Sequence, residues 1–149
     1  MEPAFEQAVA LRECLYRIFQ SVAADRTPVR HDLAVLNDAL AGAMGHARIE
    51  AQGRDFAWSW ASGEPSLDRL LWPVVRAAGD LLASPARTRI RECASGVCSW
   101  LFIDNSPTRR RRWCSMKTCG NRDKVRRFYE RAALGNEGSK AQRLKGSKV

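Results

Sequence analysis

The sequence predicts an α+β fold: a mainly helical front domain carrying a β-hairpin, then a small four-cysteine module that ends in a basic helix. Three observations predict it. Apolar residues recur at helical spacing in three stretches between Phe5 and Leu82. Between Ala47 and Ala61 the apolar period falls to two, around a central glycine. Beyond Ser84-Pro85-Ala86 the chain turns basic, and four of its five cysteines lie between positions 93 and 119.

Residues 4–24 form the first amphipathic stretch, with Phe5, Val9, Leu15, Ile18, Phe19 and Val22 on one broad stripe. Cys14 lies within it and reads as a small buried hydrophobe. Thr27 is expected to cap a second helix, with Pro28 at its first position, Leu33, Leu36, Leu40 and Met44 on its apolar face, and Gly45 at its end. Ile49 and Ala51 then alternate with polar residues. Gly53 marks a turn, after which Phe56, Trp58 and Trp60 alternate, which predicts a two-stranded hairpin with an aromatic face turned to the core. Ser66 opens a third helix over Leu67 to Ala83; Pro73 should kink it or move its start. Arg89-Ile90-Arg91 reads as a short strand leading to the first of the clustered cysteines, and the Gly-, Ser- and Lys-rich tail as a disordered basic segment.

The chain's 149 residues suit one helical domain with a small appended module. No apolar run approaches the roughly 20 residues a membrane helix needs, and no signal-peptide pattern opens the chain, so a soluble cytoplasmic protein is expected. The net charge of +9 is unevenly spread. Residues 1–84 carry 8 Lys/Arg against 11 Asp/Glu, whereas residues 85–133 carry 13 against 4. The back half is therefore suited to a polyanion and the front half is not.

The cysteines form two pairs, Cys93/Cys98 and Cys114/Cys119, each enclosing four residues, with fifteen residues between the pairs. Each pair can form a turn that presents two thiolates to one ion, and four sulfurs make the tetrahedron zinc accepts. In a reducing compartment this pattern favours metal over two disulfides, and the spacing departs from those usual for iron–sulfur clusters. One Zn²⁺ per chain is expected, in a closed site with no open position for water, which argues against zinc catalysis. Four thiolates around Zn²⁺ would bring the net charge of +9 to about +7. Gly96 and Gly120 are expected to ease the backbone around the metal, and Trp100, Phe102 and Trp113 to pack around it. So small a module folds only with its metal.

Arg109, Arg110, Arg111 and Arg112 run directly into Trp113-Cys114, which anchors them on the folded module. After Cys119, Asn121 is a plausible cap for a last helix. Val125, Phe128, Tyr129, Ala132 and Ala133 are expected to face inward, and Arg122, Lys124, Arg126, Arg127 and Arg131 outward. With Lys117, these basic residues are the candidate nucleic-acid contacts, since arginine pairs bidentately with phosphate and with guanine edges.

The segment Cys98-Ser-Trp-Leu-Phe-Ile-Asp104 and the segment Arg110-Arg-Arg-Trp-Cys-Ser-Met-Lys-Thr-Cys-Gly-Asn-Arg122 resemble the CGNR zinc-finger family, named for the run seen here as Cys119, Gly120, Asn121 and Arg122. The likeness covers about residues 86–133 and includes both cysteine pairs. Residues from about 5 to 85, with Leu-Leu-Trp-Pro at 70–73, look like the later part of the ABATE domain that usually precedes this finger. The resemblance implies a bacterial, stress-linked transcription regulator whose finger binds DNA. It divides the chain into an N-terminally shortened ABATE-like domain at 1–84, a finger at 85–133 and a tail at 134–149. Against the family's pattern the front region lacks an opening strand and helix. Either the start codon is misassigned or this is a shortened relative, whose front domain would leave apolar surface uncovered and pair with itself or a partner.

Double-stranded DNA is thus the first expected partner, with a homodimer through the front domain. An RNA-binding protein or a zinc-stabilised protein-interaction module are the alternatives. An enzyme is not expected: His31 and His46 lie in no catalytic constellation that spacing supports, and no phosphate-binding glycine loop occurs.

Overall fold

The computed structural model describes residues 2–61 and 67–132. Helix α1 (Glu2–Ala23) leads to α2 (Arg30–Gly45), a hairpin of β1 (Ala47–Gln52) and β2 (Asp55–Trp60), and α3 (Leu67–Ala83). A 3-10 turn at Pro85–Arg89 leads into a second antiparallel pair, β3 (Ile90–Glu92) with β4 (Leu101–Ile103). A π turn at Met116–Gly120 runs directly into α4, residues 121–132. The fold is the α+β arrangement expected, with the basic helix last. Ser66 and the tail from 134 lie outside the described residues.

The three front helices meet on a core of Leu11, Cys14, Ile18, Leu36 and Val75, flanked by Leu15, Leu33, Leu40, Leu71 and Leu82. Leu11, Cys14 and Ile18 recur at i, i+3 and i+7, so one face of α1 is buried along its middle turns. Cys14 is fully buried, and its thiol donates to the Asp32 carbonyl at 3.3 Å. Burial, and then the Asp32 charge, push that thiol above its ordinary range. Asp32 itself is buried and takes a forked pair of hydrogen bonds from the Arg17 guanidinium, Nη2 at 2.6 Å and Nε at 3.1 Å. Gly79 allows α3 close to α2: a Cβ there would stand 3.2 Å from Leu40 Cδ2.

Several sequence expectations are corrected. Helix α2 starts at Arg30, capped by Val29 without a side-chain hydrogen bond, so Thr27 and Pro28 lead in to the helix without capping it. Gly45 does close it, and Met44 is exposed. Pro73 lies inside α3 without moving its start, on the outer side where Leu70 and Val74 are exposed. Phe5 is exposed as well.

The expected hairpin forms, with Ile49 opposite Trp58, Ala51 opposite Phe56, and Gly53 in the turn at φ +68°. Its aromatic face is not core. Phe56 is 76% exposed, and Ile49 and Trp58 are also exposed. The hairpin reaches α3 through its lower half, where Trp60 tilts onto Trp72 and the Arg76 guanidinium lies 4.1 Å from the Trp58 ring centre. Alternation reveals which residues share a face, but not whether another layer covers it.

The cysteine module docks on the outer side of α1. The Tyr16 hydroxyl donates to the Ser99 carbonyl at 3.0 Å, and α1 packs along β3 and β4.

Candidate metal centre and basic surface

The β3–β4 pair positions the first cysteine turn. The Cys93 N–H donates to the Trp100 carbonyl at 2.9 Å, which extends the ladder beyond Glu92 and Leu101. The chain then turns back within the pair, and the Cys98 N–H donates to the Ser95 carbonyl at 2.9 Å. The second turn starts at Ser115, whose hydroxyl accepts from the Thr118 N–H, and closes with the Gly120 N–H on the Ser115 carbonyl at 3.1 Å.

These turns bring the sulfurs of Cys93, Cys98, Cys114 and Cys119 within 4.8 Å of one another. Cys98 and Cys114 are 3.8 Å apart, and Cys114 and Cys119 3.7 Å apart. A tetrahedron with metal–sulfur bonds of about 2.3 Å has edges of about 3.8 Å, so the donor set fits one tetrahedral ion. The thiols also perturb one another. Burial opposes ionisation of Cys93, but N–H groups of Cys114 and Ser95 and the neighbouring thiols outweigh it and bring the group down to about 7. Burial and the neighbouring thiols push Cys114 up to about 12. Four thiols so placed cannot all ionise unless a cation offsets their charge.

Gly120 is buried beside Met116, where a Cβ would lie 2.5 Å from the thioether sulfur, so a larger residue there would require the flexible, exposed Met116 side chain to shift. Gly96 faces open space.

The arginine run is fastened to this centre by a residue that sequence reasoning missed. Asp104, at the end of β4, is 1% exposed. Its carboxylate accepts from the Ser106 hydroxyl at 2.6 Å, the Ser106 N–H at 2.9 Å and the Arg111 N–H at 3.0 Å. Those hydrogen bonds, the Ser106 hydroxyl first, hold the carboxyl below the usual range. The Asp-x-Ser turn signal was visible in Asp104-Asn105-Ser106; the contact to Arg111, seven residues on, was not. The Ala94 N–H donates to the Arg112 carbonyl at 2.8 Å and ties the run to the first cysteine turn.

The basic residues then divide. Arg111 packs over Phe102 and donates to the carbonyls of Trp113 and Cys114, while Arg112 lies over Trp113. Arg126 and Arg127 grip the buried carboxylate of Asp123 at 2.8 and 2.9 Å, and Arg126 also reaches Glu130. Arg131 is exposed and donates back to the Arg127 carbonyl. Arg109, Arg110, Lys117, Arg122 and Lys124 are exposed, and their side chains engage no partner among the described residues.

Three expectations fail around this centre. Asn121 is not a cap: it has helical dihedrals, its side chain donates to the Lys117 carbonyl, and Ser115 caps the turn that precedes it. Val125, Phe128 and Tyr129 are exposed, because no described element packs against α4 beyond its first turns; Ala132 is exposed too, and Ala133 lies outside the described residues. Trp100 is exposed, whereas Phe102 and Trp113 are half-buried.

Comparison with protein families places both parts of the chain. Residues 1–85 match the ABATE family, described as a "putative stress-induced transcription regulator", and residues 89–132 match the CGNR zinc finger. Comparison with curated proteins gives no match.

Proposed function

The chain belongs to the ABATE family and continues into a CGNR zinc finger; from that premise we propose that it is a non-enzymatic, DNA-binding transcription regulator. Cys93, Cys98, Cys114 and Cys119 hold one Zn²⁺ per chain, which cross-links the two turns and leaves no open coordination position. A closed four-thiolate site supports a structural role over catalysis. Arg109, Arg110, Lys117, Arg122 and Lys124 contact phosphates of double-stranded DNA, because no intramolecular partner competes for them among the described residues. Arg111, Arg112, Arg126 and Arg127 hold the module in shape and add to its field.

The observation that carries this reading is the fastening of the arginine run to the cysteine centre through Asp104 and Ala94. A polybasic segment held on a folded module presents its charges in a fixed array, whereas a solvated tail would not. The front domain pairs two chains: the uncovered hairpin face, with Ile49, Phe56 and Trp58 exposed together, supports this, since neighbouring exposed apolar side chains can mark an interface. The described helices include none long and apolar enough to cross a membrane, and a regulator of this kind works in the cytoplasm.

The test is selection of fragmented genomic DNA by the zinc-loaded protein at physiological salt, with excess RNA as competitor. Enrichment of a few loci is the expected result. Uniform recovery, or recovery abolished by RNA, would move the function to RNA or to an acidic protein partner.

A further inference from the structure

Trp100 is 72% exposed, although it sits between two anchored stretches of backbone. Its carbonyl accepts from the Cys93 N–H at 2.9 Å, and the carbonyl of the preceding Ser99 accepts from the Tyr16 hydroxyl at 3.0 Å. The ring therefore projects from a fixed main chain. It borders a cleft of about 450 Å³ between the two cysteine turns, lined by Cys98, Cys114 and Cys119 of the metal centre and by Val97, Ser99, Ser115, Thr118 and Arg122 beside it. Val97 is 73% exposed. Arg122 lies in the first turn of α4 and has no partner among the described residues.

A large apolar ring left in water on a small module is informative in a way that a scattered exposed leucine is not. Here the flat ring, a free guanidinium and three hydroxyl-bearing side chains line one cleft beside the cysteine centre. That combination meets the parts of a nucleotide: the ring takes a base face and the guanidinium takes its phosphate. The strongly basic surroundings favour such a polyanion over an apolar peptide. In a duplex the base faces are stacked on one another and only edges reach a groove, so the cleft suits a base that is not paired.

We propose that this cleft is a stacking site for one unpaired nucleobase of a single-stranded nucleic acid, with Trp100 against the base and Arg122 at the phosphate. The proposal rests on the reading of the finger as a nucleic-acid-binding module and specifies what the module holds beyond duplex phosphates. DNA and RNA strands share this chemistry.

The test titrates the full-length, zinc-loaded chain and its Trp100→Ala and Trp100→Phe variants with short single strands of DNA and RNA, with the matching DNA duplex, and with strands carrying one abasic position. Trp100→Ala should weaken single-strand binding by about 5- to 150-fold and leave duplex binding unchanged, with Trp100→Phe retaining most of the affinity. An abasic position should weaken the native chain and have no further effect in Trp100→Ala. Whichever strand binds tighter identifies the sugar preferred. Single-strand affinity unchanged in Trp100→Ala, or an equal loss on the duplex, would overturn the proposal. Should Trp100→Ala lose its zinc, the Trp100→Phe and abasic arms decide. If the native chain bound the duplex but not the strands, this inference alone would fall; if it bound neither, the function proposed above would fall with it.

Discussion

Asp32 shows how one side chain couples the front helices to pH. It is buried at the start of α2, and the hydrogen bonds from Arg17 on α1, opposed by burial, hold its carboxyl below the usual range. The depressed value sets the sign: the contribution is fully present above the unfolded carboxylate pKa of about 3.9 and is lost as pH falls through the lower folded value. Asp32→Asn should therefore flatten the acid limb of the stability curve, measured by denaturant unfolding across that range. An unchanged limb would show that other carboxylates set it. Arg109 makes a second case. It holds φ +52°, where a residue with a Cβ is disfavoured by roughly 1–2 kcal/mol. Arg109→Gly should relieve that strain and raise the finger's thermal midpoint while weakening polyanion binding by one phosphate contact; a lowered midpoint would contradict this. The cysteines were legible from their spacing, because a metal's demand for four sulfurs leaves a local signature. The contact from Asp104 to Arg111 was not, since only the folded loop brings that N–H to it, whereas Asp123 stands at helical i+3 and i+4 spacing from Arg126 and Arg127, a legible pairing that was not read because those arginines were expected to face outward.

The elements differ in how far their sequence patterns determine their surroundings. In α1 the pattern and the core agree in part: Ile18 and Cys14 are buried and Leu15 flanks them, whereas Phe5 is exposed and the core residue Leu11 lies off the expected stripe. Ile18 has no exposed surface, so Ile18→Ala should destabilise the front domain by about 2–5 kcal/mol in chemical denaturation. A change within experimental error would mean that the helix face is not the core. The hairpin and α4 are where period failed. Both have the predicted faces, yet Phe56, Phe128 and Tyr129 stay exposed, because amphipathicity records a preference for burial and cannot supply the partner. Cap positions were the least legible feature. The Met116–Gly120 turn merges into α4, so a Ser four residues before the CGNR run caps the assembly where Asn121 was expected to.

At the scale of the molecule, an acidic helical domain holds a basic finger through contacts from α1 to β3 and β4, and the four-cysteine cluster joins the finger's two turns. Cys98→Ser or Cys119→Ser should unfold the finger while leaving the front helices intact; retained metal and helicity in α4 would contradict a structural site. The uncovered hairpin predicts that Phe56→Asp shifts the chain toward monomer in sedimentation, whereas a native chain already monomeric would remove the dimer. On the function proposed, a metal-held finger meets phosphate with its free arginines. The most direct test of this is the slope of log K against log salt for zinc-loaded protein on duplex DNA. Arg109→Ala, Arg110→Ala and Arg122→Ala should each lower the slope by about 0.9, and chelation should abolish binding. A slope unchanged in all three variants, or full binding after the metal is removed, would contradict it.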